Sequence, residues 1–159
     1  MKSYRKSLLS NSNPYTPAVN LVFALDDALK MMREEGLDNI FLRHNKHKLA
    51  MSKAVKALNL ELFADEKYLS PSITAIKTGE IDAEDFRKTV KNKFDILLAG
   101  GQDHLKGKIF RVGHLGYVND RDIITVISAI SNTLLDLGKI TAQQAGESLV
   151  VASKYLKAN

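Results

Sequence analysis

The chain contains no cysteine. Disulfides, thiolate metal sites and a cysteine nucleophile are therefore excluded. It also lacks any apolar run approaching the roughly 18–20 residues that a membrane-spanning helix requires, so no membrane partner is expected. The opening MKSYRKSLLS is basic but has no apolar core of the kind a signal peptide carries, and the cytoplasm is the expected location. Nor is there a long block of one charge. The net charge is +5, but 23 Lys and Arg are interleaved with 18 Asp and Glu. The densest basic cluster, Arg43-His44-Asn45-Lys46-His47-Lys48, falls in a helical pattern and reads as a solvated face. No aromatics stand beside it to stack on bases, so a nucleic-acid partner is not expected. No internal repeat and no low-complexity segment is present.

What is there fits one soluble domain. A chain of 159 residues, 45% hydrophobic and 26% charged, has an ordinary globular composition. At this length it buries roughly 70% of the surface its unfolded form exposes. Residues 1–15 are polar and turn-rich and read as a connecting segment, with residues 16–159 as the folded part. Thr16, Pro17 and Gly36 punctuate a first helix as cap, first helical residue and terminator, with Ala18, Leu21, Val22, Leu25, Leu29 and Met32 at helical spacing. A second helix is expected from about Asn39 to Leu58, capped by Asp38. Asn59–Phe63 and Ser72–Lys77 are candidate strands. Asp82, bracketed by Ile81 and Phe86, starts another helix with the spacing of a hydrophobic staple. Ile96–Leu98 and Lys108–Val112 are the next strands. Two helices close the chain. Asn119 or Asp120 caps the first, with Ile123, Ile127, Ile130, Leu134 and Leu137 as its stripe; a Thr141–Gln144 capping box starts the second. The order predicts an α/β (α+β) fold, helices covering a short sheet.

Most candidate sites reduce to bland readings. Gly101–Lys108 resembles a phosphate loop superficially. Yet the spacing between Gly101 and Gly107 is wrong, Ile109 stands where a Ser or Thr would reach magnesium, and a strand follows rather than a helix. His44 and His47 share a helical face, but no third ligand is near in sequence and Lys46 and Lys48 would repel a cation, so a structural or solvent-facing role is expected. His104 and His114 flank the last strand, and the sequence does not assign them. Arg111 differs, because it is a cation inside an apolar run. It requires a partner, which is either a substrate carboxylate held through two charge-assisted hydrogen bonds or a structural carboxylate from elsewhere in the fold. Thr16 likewise has two readings, an N-cap hydroxyl or part of a helix start facing an anion, although Pro17 removes one backbone donor from such a site.

Two stretches, NPYTPAVNLVFALDDAL and GGQDHLKGKIFRVGHLGYV, resemble the class V pyridoxal-phosphate aminotransferases. The likeness is to the alanine–glyoxylate and serine–pyruvate branch, which includes cyanobacterial members labelled "soluble hydrogenase small subunit". It runs from about Tyr4 to Leu137, and GKIFRVGHLG is its most specific part. The resemblance implies the small C-terminal domain of the aspartate-aminotransferase fold with its connecting helix, from a cytoplasmic homodimeric enzyme. That enzyme would move an amino group between alanine or serine and glyoxylate or pyruvate. It places on Arg111 the arginine that binds the substrate α-carboxylate, and on Thr16 a hydroxyl that reaches the cofactor phosphate of the neighbouring subunit. The family's Schiff-base lysine, with the aspartate and the aromatic that hold the pyridine ring, lies upstream of the matching segment, in an N-terminal cofactor domain. No residue of this chain takes a catalytic role, Lys106 and Lys108 being misplaced in the motif. The chain alone is therefore expected neither to hold pyridoxal phosphate nor to transaminate. The start at Met1 reads as a shortened chain or a short reading frame. The alternative is a free-standing, non-catalytic binding or dimerisation module.

Overall fold

The computed structural model describes residues 2–157, and the chain divides into two units, 1–40 and 41–159. The first unit holds α1 (Lys2–Leu9) and α2 (Val19–Glu35), neither of which buries a residue. α1 was not foreseen. The N-cap of α2 is Ala18, with no side-chain capping bond, so Thr16 is not the cap; Pro17 lies ahead of the first helical turn. Gly36 ends the helix as expected, at φ +83°, its N–H donating to the Met32 carbonyl. The apolar stripe of α2 is exposed, with Leu21 at 71%, Val22 at 63% and Leu25 at 57% of their full surface.

α3 (Leu37–Ala57) begins one residue before Asp38, which therefore sits in its first turn rather than capping it. Its buried residues, among them His47, Met51, Ala54 and Val55, belong to the second unit. There follow β1 (Glu61–Leu62), β2 (Ile73–Lys77), α4 (Ala83–Phe94), β3 (Ala99–Gly100), β4 (Ile109–Gly113), α5 (Asp120–Asp136) and α6 (Ala142–Lys157). The four strands form one antiparallel sheet in the order β1-β2-β4-β3. Of the two short strands, the first lies within the expected Asn59–Phe63 but is confined to Glu61–Leu62, and the third is Ala99–Gly100 rather than Ile96–Leu98.

Strand alternation divides the sheet. Leu62, Thr74, Ile76, Phe110 and Val112 face the core, whereas Ile73, Ala75, Lys77 and Arg111 lie on the other, partly open face. Over the core face, the Phe86 ring of α4 stacks on Phe110 at 5.0 Å between centroids. Ile123, Ile127, Ile130 and Leu134 of α5 are at most 1% exposed and complete the interior, while Leu137, expected in the same stripe, is exposed. Local capping fixes the helix starts. Asp82 Oδ1 accepts from the N–H groups of Glu84 and Asp85, Asn119 and Asp122 form a reciprocal capping box, and so do Thr141 and Gln144.

Candidate functional site

The open face of the sheet is built around Arg111. In register, its immediate neighbours are Ala75 on β2 and Ala99 on β3. Both are short, so neither fills the space beside the long arginine. The side chain is half-buried, and its Nε–H donates to the Gly100 carbonyl at 3.0 Å. Among the described residues, no Asp or Glu pairs with it. The structural ion pair that the sequence left open is thus not found among them. Since Nε is engaged, the free edge of the guanidinium is the one presenting Nη1 and Nη2, which matches the two oxygens of a carboxylate approached end-on.

The glycines before Arg111 are not simply turns. A Cβ on Gly100 would overlap Arg87 Nη1 and lie 2.7 Å from Glu84 Oε1, and one on Gly101 would overlap the Leu105 carbonyl. At Gly101 close approach to backbone, not a positive φ, demands glycine, whereas at Gly100 the neighbours are side-chain ends that can give way. At Gly107 and Gly116 the backbone does adopt positive φ, at +74° and +75°, and these are turns.

Beyond β4 the chain is held by two buried histidines. His114 is fully buried; its Nδ1–H donates to the Pro71 carbonyl (3.1 Å) and its Nε2 accepts from the Thr74 hydroxyl (2.9 Å). Burial drives its pKa down to about 4, so it is a neutral structural residue. His47, also fully buried, meets Asp120 Oδ1 through Nε2 at 2.9 Å, and burial lowers its pKa although Asp120 opposes the shift. Lys46 Nζ bonds Asp120 Oδ2 (3.0 Å), and Arg43 Nη1 donates to the carbonyls of Gly116 and Val118. The cluster at residues 43–48 is therefore not the solvated face expected of it. It clamps the loop that follows the Arg111 strand. His104 is exposed in a short 3-10 turn, Asp103–Leu105. No group of three or more His, Cys, Asp or Glu able to hold a metal occurs among the described residues.

Thr16 is exposed in the first unit. Among the described residues its side chain makes no hydrogen bond, so the hydroxyl is available to a ligand. A Schiff-base lysine sits desolvated in its site. None of the described lysines is buried, and Lys53, Lys56, Lys77, Lys88 and Lys93 are committed to surface ion pairs. Among the described residues no lysine occupies such a desolvated position.

This four-stranded antiparallel sheet backed by helices matches part of proteins of the aminotransferase fold. The ureidoglycine–glyoxylate aminotransferase of Bacillus subtilis superposes with a TM-score of 0.82 at 30% identity, over 91% of this chain and 38% of that one. By sequence, the chain is 53% identical over 135 residues to the soluble hydrogenase 42 kDa subunit of Anabaena cylindrica, covering 85% of this chain and 35% of the relative. It is 34% identical over 149 residues to the serine–glyoxylate aminotransferase of Methylorubrum extorquens, covering 92% and 36%. Its homologues are these aminotransferases and soluble hydrogenase subunits, as its two motifs indicated, and it aligns to their C-terminal part. It spans little more than a third of their length. No family profile matches it. Among the described residues no helix is long and apolar enough to cross a membrane.

Proposed function

We propose that this chain is the substrate-carboxylate-binding C-terminal domain of a class V, pyridoxal-phosphate-dependent aminotransferase. The complete, homodimeric enzyme would exchange an amino group between alanine or serine and glyoxylate or pyruvate. The observation that carries the reading is Arg111: a half-buried guanidinium with no carboxylate partner among the described residues, pinned through Nε and open along its Nη1–Nη2 edge. A half-buried cation left without a counter-charge is costly, and a ligand carboxylate offsets that cost. Every amino acid and 2-oxo acid carries one, so the same side chain can hold both partners of a transamination in turn.

When bound in the complete enzyme, the cofactor supplies the aldehyde and the electron sink. This chain contributes recognition. Arg111 fixes the substrate by its carboxylate and so orients the α-carbon, and Thr16 offers a hydroxyl to the cofactor phosphate of a neighbouring subunit. The amine that anchors the cofactor must come from residues outside this sequence, so the chain by itself holds no internal imine and turns over no substrate.

The test is a titration of the isotopically labelled chain with pyruvate and with glyoxylate, followed by nuclear magnetic resonance at the arginine Nε–H signals. Both ligands should shift the Arg111 signal saturably, and Arg111→Ala should abolish the accompanying backbone amide shifts of Ala75, Ala99 and Gly100, a loss of about 2–3 kcal/mol of binding. An unmoved Arg111 signal at saturating ligand would refute carboxylate recognition.

A further inference from the structure

We infer that Arg87, held by Glu84, is a positioning residue for Arg111. Both lie on α4, on the opposite side of the Gly100 peptide from the arginine they act on. Arg87 Nη1 stands 2.8 Å from each Glu84 carboxylate oxygen, a charge-assisted pair on adjacent turns, with both side chains about one-quarter to one-third exposed. Arg87 Nε–H donates to the Leu98 carbonyl at 2.7 Å. The pair also lies beside Gly100, where an added Cβ would fall within 3 Å of Arg87 Nη1 and Glu84 Oε1. From the other face, Gly100 receives Arg111 Nε at 3.0 Å.

The Leu98–Gly100 segment is thus held by two arginines, Arg87 on the Leu98 carbonyl and Arg111 on the Gly100 carbonyl. β3 is two residues long and has β4 as its sole strand neighbour, so few ladder bonds fix it. The Glu84–Arg87 pair supplies the missing restraint. Bonded to the Leu98 carbonyl, it restrains the segment two residues ahead of the Gly100 carbonyl that sets Arg111 Nε, and thereby aims the Nη1–Nη2 edge outward. Arg87 touches no ligand in this scheme. Its benefit to carboxylate binding rests on the function proposed above; its grip on Arg111 does not.

Two readouts on the full 159-residue chain separate these. The first is solvent exchange of the Arg111 Nε–H, and the second is pyruvate affinity. In Arg87→Gln the exchange should accelerate and the pyruvate dissociation constant rise, each about tenfold. Glu84→Gln should move both in the same direction by less. In an Arg111→Ala background, Arg87→Gln should change nothing further in whatever pyruvate binding remains, because it acts through that side chain. Wild-type exchange and affinity in Arg87→Gln, with the α6 amide spectrum intact, would overturn the inference. If Arg87→Gln does not fold, Glu84→Gln is read by the same criteria. If the wild-type chain binds no pyruvate, the functional reading fails, while the exchange measurement still decides whether Arg87 positions Arg111.

Discussion

Arg111 and His114 stand three residues apart and meet burial in opposite ways. Arginine cannot shed its proton, so Arg111 keeps its charge and stays at an accessible face. His114 loses its charge instead and becomes a neutral link between Pro71 and Thr74. Its folded-state pKa of about 4 lies below the ordinary 6.5, so the unfolded chain takes up the proton first as pH falls. The stabilisation is complete above about pH 6.5 and is lost as pH drops toward 4, a change of roughly 3 kcal/mol at most. His47 acts in the same direction. Thermal melts from pH 7.5 to 4.5 should show a steep fall in Tm, and His114→Gln should be less stable at pH 7.5 but flatter across the range. A wild-type curve as flat as that of His114→Gln would contradict this assignment. Of these residues, the sequence revealed Arg111, because a cation inside an apolar run is visible locally. It hid Gly100 as its partner, the grip of Arg87, and the burial of His47, because each depends on a contact between segments distant in the chain.

At the scale of elements, legibility follows the range of the forces that set each boundary. The starts of α4, α5 and α6 were readable, since Asp82, Asn119 and Thr141 cap within three residues of themselves. Thr141→Ala should cost about 1 kcal/mol, seen as a lower Tm with an unchanged helical spectrum. An unchanged Tm would show that tertiary packing alone sets the start of α6. Strand limits were less readable. Ile96–Leu98 is apolar, and Leu98 is buried, yet the ladder forms over Ala99–Gly100 because that is where β4 offers its backbone. The N-terminal boundary of α2 also shifted: Thr-Pro is a common helix opening, but no side chain caps the first turn here. The stripe of α2 itself was read correctly and lies exposed. Sedimentation should therefore show association that grows with concentration, reduced by Leu25→Lys. A chain that is monomeric throughout would remove that expectation.

For the molecule as a whole, the sequence disclosed kinship more readily than competence. Two motifs placed the chain among aminotransferases, and the superposition agrees. Mixing it with pyridoxal phosphate should give no stoichiometric imine band that survives dialysis; such a band would show that one of these surface lysines can anchor the cofactor. The sheet carries a last consequence of its own. Its outer strands, Glu61–Leu62 and Ala99–Gly100, are two residues each, and the longer β2 and β4 lie between them. A sheet grows by recruiting foreign backbone along an unpaired rim, and a rim of two residues gives a newcomer almost nothing to zip onto. Whatever self-association the exposed helix drives should therefore remain reversible and helical in its spectrum, without seeding fibrils.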